Sequence, residues 1–91
     1  MATARVPLGR TVITRNAMGA LELADVVKAL GRHESGDWGE SLCAEDRKAN
    51  EEALRSGGRL ISEYRDSGDV RFWVITEHDR SVTTVLLPED Y

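Results

Sequence analysis

Cysteine is nearly absent from this chain, and that absence excludes two ways of holding a small domain together. The single thiol, Cys43, can neither close an intramolecular disulfide nor build a cysteine-based zinc cage. A reducing compartment, the cytoplasm, is the expectation that follows. Aromatic side chains are scarce too, at 5% of residues, so Trp38, Tyr64, Phe72, Trp73 and Tyr91 each carry more of the packing than usual. No apolar run approaches membrane-spanning length and Met1 to Arg10 holds no signal-peptide core, which predicts a chain with no membrane attachment. Positive charge is outnumbered: 12 Lys and Arg stand against 16 Asp and Glu, a formal net charge of −4. A general nucleic-acid binder needs a basic footprint, so nucleic acid is expected only through a local basic patch.

What is present suffices for one thin domain spanning residues 1–91, with 41% hydrophobic residues to cover one face of a sheet. The last third is the clearest part. Arg59 to Tyr64, Val70 to Glu77 and Ser81 to Leu87 read as strands, joined by loops of a few residues. Connections that short allow only antiparallel hairpins, so a three-stranded meander is predicted. Val70, Phe72, Val74 and Thr76 point to one side of the middle strand, Arg71, Trp73, Ile75 and Glu77 to the other. Thr11 to Thr14 is β-branched and short, a candidate flanking strand.

Between these lie two helical patterns. Ala20, Leu23, Ala24, Val27 and Leu30 recur at helical spacing, with Gly31 placed to end the helix and Thr14 or Asn16 as candidate caps. His33 to Gly39 reads as a loop in which Trp38 plugs the core. A second helix from about Cys43 to Ser56 should turn Leu42, Ala49, Ala53 and Leu54 inward and end at Gly57-Gly58. Asp46 and Asn50 fall on or beside that stripe and need donors, for which arginines from the sheet are the obvious source. The expected fold is therefore α+β: two helices on one face of a three- to four-stranded antiparallel sheet with a C-terminal β-meander. Its core should contain Leu23, Val27, Leu30, Ala49, Ala53, Ile61, Phe72, Val74 and Val85, with Trp38 as a lid.

Three groups of residues could carry chemistry. His33 could be a general acid–base, or simply a helix-terminal cation on the last carbonyls. Arg59, Ser62, Tyr64, Arg80, Thr83 and Thr84 could line one sheet face and hold a phosphate, or be ordinary strand residues whose arginines pair with nearby acids. Glu34, Asp37, Glu40 and Glu45, with Trp38 among them, could present a negative surface to a basic protein partner, or form a solvated face. No metal is expected, because His33, Asp37, Cys43, His78 and Asp79 lack the paired spacing of a structural site. No cofactor is expected either, since the chain has neither a Walker loop nor a dinucleotide fingerprint.

The runs Arg32 to Gly39, Glu45-Asp46 with Asn50, Gly58 to Ser62 with Tyr64, Trp73 to Glu77 and Asp79 to Tyr91 together resemble a family of small plasmid-related proteins. Leu8-Gly9 and Asn16-Ala17 fit it too, so the resemblance covers nearly the whole chain. It implies a mobile-element setting and brings no catalytic residues. In order of elements the chain is also similar to barnase-like and RelE-like ribonucleases, which work without metal through acid–base groups and cations around a phosphate. Two functions are thus expected. The first is a non-enzymatic protein that docks on a host protein or defence complex, restriction or CRISPR. The alternative is a metal-independent ribonuclease or toxin-like enzyme using His33, Arg59, Tyr64, Arg80 and Thr84, which requires these to converge in one cleft. A homodimer through Val70 to Glu77 is a third reading.

Overall fold

The computed structural model describes residues 4–91. The remaining three lie in the Met1 to Arg10 stretch read above for a leader, and are outside the described residues. The elements run β1 (Arg10–Ile13), α1 (Arg15–Ala20), α2 (Leu23–Glu34), α3 (Ala44–Ser56), β2 (Leu60–Arg65), β3 (Arg71–Thr76) and β4 (Val82–Leu86), closed by a 3-10 turn at Pro88–Asp90. The meander forms as its short loops require, β2 with β3 and β3 with β4 antiparallel.

The sheet as a whole is mixed rather than antiparallel, in the order β1-β4-β3-β2. Strand β1, at Arg10–Ile13 rather than Thr11 to Thr14, lies parallel to β4 with Thr11 beside Thr83 and Ile13 beside Val85. The long route through three helices and the meander makes a parallel return possible, which no short hairpin could.

The expected first helix is two. Thr14 caps α1, its hydroxyl accepting the Ala17 N–H at 3.1 Å. The chain then turns extended at Leu21 and Glu22 before α2 begins. Helix α2 runs straight through Gly31 and ends at Glu34, so Gly31 is no cap and His33 belongs to the helix. Its buried face is Val26, Ala29 and His33, with Leu30 packed at the margin. Leu23 and Val27, expected in the core, are 72% and 63% exposed. In α3, Ala53 and Asn50 are buried, Leu54 is half-buried and Ala49 faces solvent against expectation.

Two clusters make the core. Val26, Ala29, Tyr64, Phe72, Val74, Val85 and Leu87 pack between α1, α2 and the sheet. Val6, Trp38, Leu42, Ala53 and Leu60 pack where α3 meets β2. Full burial of side chains such as Phe72 and Val85 contributes roughly 1.5–3 kcal/mol each. Trp38 is 4% exposed, a lid as expected, and Ile61 is half-buried. Gly39 lies at φ 93, where a Cβ would collide with the Glu63 carbonyl, so the loop carrying Trp38 can approach β2 only with glycine there.

Candidate functional site

Strand alternation sets Leu60, Ser62 and Tyr64, then Phe72, Val74 and Thr76, then Thr83 and Val85, on the helix-covered side. His33 enters that side from the last turn of α2 and is completely buried. Its Nδ1 lies 2.6 Å from Ser62 Oγ and its Nε2 2.9 Å from Thr76 Oγ1. Thr76 Oγ1 is in turn 2.7 Å from Thr83 Oγ1, and the Thr83 hydroxyl donates to the Leu8 carbonyl at 2.6 Å.

Each hydroxyl has one proton, and that fixes the direction of the whole chain. Thr83 spends its proton on Leu8, so it must accept from Thr76. Thr76 has then spent its own and must accept from Nε2–H. The ring is the Nε2–H tautomer, and Nδ1 accepts from Ser62. Burial, reinforced by the positive charge of Arg80, lowers the His33 pKa from 6.5 to about 4. The imidazole is neutral, fully partnered and shut away from solvent. Trp38 closes over it edge-on, ring centres 5.7 Å apart.

The other members of the expected nuclease set do not form a cleft with it, although Arg80 is near enough to act on the ring electrostatically. Arg80 has positive φ, 63°, at the β3–β4 turn. From there its guanidinium donates to the carbonyls of Ala53 (3.0 Å), Gly58 (2.5 Å), His78 (3.1 Å) and Glu77 (3.2 Å). Those bonds tie the turn to the end of α3. Arg59 points to the opposite face of the sheet, 3.6 Å from Glu77 and donating to the Tyr91 hydroxyl at 2.8 Å. Thr84 is on that opposite face too, since it alternates with buried Thr83. Tyr64 is buried and donates to the Asp37 carbonyl, and burial pushes its phenol pKa up. His33 and Tyr64 thus share one side, Arg59 and Thr84 the other.

The acidic residues are partly neutralised. Arg32 forks onto Asp37 (2.7 and 3.2 Å), reaches Glu40 at 2.6 Å and lies over the Tyr64 ring at 4.8 Å. Hydrogen bonding from Arg32 holds the Asp37 carboxyl below its usual range. Glu51 takes Arg5 at 2.9 Å and the Trp38 indole N–H at 3.0 Å. Arg47 donates to the Leu42 and Gly39 carbonyls. The Glu34 carbonyl accepts from the Arg5 and Val6 amides, while Glu45 stands exposed in the first turn of α3. Asn50 does not draw an arginine from the sheet: its amide accepts from Ile61 N–H at 3.1 Å and donates to Ile61 C=O at 2.7 Å. Asp46 is exposed.

Missed in the sequence was an apolar corner. Met18, Leu23 and Val27 stand 67%, 72% and 63% exposed, and a groove of about 300 Å³ opens between Ile13, Met18, Leu21, Leu23 and Val26. The periodicity of α2 signalled the aliphatic residues and could not reveal which of them would be left uncovered. Among the described residues no three His, Cys, Asp or Glu side chains gather as a metal site would require, and no helix is long and apolar enough to cross a membrane. Comparison with known proteins finds no matching family model, no similar curated protein and no matching solved structure.

Proposed function

We propose that this chain is a non-enzymatic binding protein of a mobile genetic element, acting in the cytoplasm by docking on a host protein, a restriction or CRISPR complex being the favoured class of target. One observation carries the reading: the side chains with catalytic potential are consumed by the fold. His33 is locked between Ser62 and Thr76, Arg80 between four carbonyls, and Tyr64 on the Asp37 carbonyl. A ribonuclease needs a proton-transfer group that reaches the phosphodiester, and a fully buried imidazole titrating near 4 does not supply one. The carboxylates of Asp37, Glu40 and Glu45 are exposed, the first two while paired with Arg32, and offer a basic partner complementary charge.

The test pairs two measurements on the purified full chain. It should leave a fluorescent RNA intact over hours. Immobilised, it should retain a discrete host protein at low salt that a Glu40→Lys, Glu45→Lys variant releases. RNA cleavage abolished by Arg59→Ala in a folded protein, or a bait that retains nothing, overturns the reading.

A further inference from the structure

The two edges of the sheet are treated differently. The outward backbone of β2 is covered: Asn50 takes both the N–H and C=O of Ile61, and the Glu63 N–H donates to the Trp38 carbonyl at 3.0 Å. Among the described residues nothing pairs with the outer edge of strand β1. The Arg10 amide donates to Ser81 and the Thr14 amide to Val85, so the even residues face β4 and the backbone groups of Thr11 and Ile13 face outward. Among the described residues no hydrogen bond reaches those outward groups. An open edge beside an apolar groove is a template for strand addition.

We propose that β1 pairs antiparallel with β1 of a second copy of this chain about a two-fold axis through Val12, merging the two sheets into one. The argument for a second copy is self-complementarity. With Val12 opposite Val12 of the other copy, Thr11 faces Ile13 and Ile13 faces Thr11. Each such pair exchanges both backbone hydrogen bonds. No other register finds both outward residues a partner within Arg10–Ile13. The same register sets Arg10 opposite Thr14 of the other copy, and the Thr14 hydroxyl donates to Asp90 at 2.7 Å. Arg10 is exposed and has no ion pair among the described residues. Hydrogen bonds from Thr14, Asn16 and Leu87 hold the Asp90 carboxyl ionised, giving Arg10 an acid at each end of the seam. The grooves lined by Ile13, Met18 and Leu23 flank the same seam, which would cover side chains now in water.

The decisive experiment exploits the axis. In a Cys43→Ser background, Val12→Cys should cross-link to a covalent dimer under mild oxidation, because facing non-hydrogen-bonded residues bring their Cβ atoms within disulfide reach. Thr84→Cys, one strand inward on the same face, should not. Sedimentation of the unmodified chain should give a dimer. Thr11→Pro, which deletes an outward donor and leaves the β4 ladder intact, should weaken it by about tenfold or more with the circular dichroism unchanged. A monomer at every concentration, equal cross-linking at Thr84, or a dimer indifferent to Thr11→Pro would each overturn the proposal. None of these would touch the docking reading, which rests on other residues.

Discussion

His33 was legible in the sequence as a residue of interest and illegible in its role. Its partners lie 29 and 43 positions away, and only the sheet register brings them to the ring. What could be read was strand parity: Thr76 was expected on the same side as Phe72 and Val74, and it is. The ring's burial has a consequence for pH. Unfolded, the imidazole binds a proton near 6.5; folded, only near 4. Between those values the unfolded chain holds the extra proton, so stability is complete above about pH 6.5 and falls as pH drops toward 4, by about 3 kcal/mol in total. Urea midpoints at pH 7.5, 5.5 and 4.5 should show that decline, and His33→Gln should flatten it. The exposed, paired carboxylates of Asp37 and Glu51 also lose stabilisation in acid, by much less. A second expectation separates the two faces. Thr76→Val leaves the His33 Nε2–H without an acceptor in a dry interior and should cost about 1–3 kcal/mol, whereas Thr84→Val on the opposite, half-buried face, where no such bond is broken, should cost little. Thermal melts of the two variants would check it.

At the scale of elements, the strands were easier to read than the helices, for a physical reason. A strand buries alternate residues, and the meander's alternation survives either choice of face. A helix has many possible faces, and choosing one requires knowing which polar residues the core accepts. Counting His33 as loop left Leu23, Val27 and Leu30 as the best stripe. Admitting it as a core residue turns the face toward Val26 and Ala29. In α3 Asn50 was expected on or beside the inward stripe and is buried there; what the pattern did not show is that its amide would take the place of Ala49. Arg80 joins elements that no local pattern connects. Its removal strips the Ala53 and Gly58 carbonyls of a shared charged donor. Arg80→Ala should therefore cost about 1–3 kcal/mol, and Arg80→Lys should recover only part because an ammonium cannot fork. Arg80→Gly should lie above Arg80→Ala, since the left-handed φ of 63° suits glycine. Amide exchange at Ser56, Gly57 and Gly58 should quicken in the same order.

For the whole molecule, the mixed sheet decides what the protein can do with its edges. The class, α+β with a terminal meander, was readable. That β1 would cross to β4 was not, because four residues with β propensity say nothing about the strand they will choose. Closing one edge with Asn50 protects the protein from pairing there. Asn50→Ala should free the Ile61 backbone, cost about 1–3 kcal/mol and raise light scattering on warming, since an uncovered edge invites intermolecular strand pairing. The hydroxyl chain through His33 also spans the molecule, joining α2, β2, β3, β4 and the segment before β1. His33, Ser62, Thr76 and Thr83 are all fully buried, so their protons meet water only when the packing around them opens. The Ser62, Thr76 and Thr83 hydroxyls should consequently appear as discrete proton resonances, with the Nε2–H beside them. Their exchange with solvent would then time global opening, an internal clock read from side chains where backbone amides are ordinarily used.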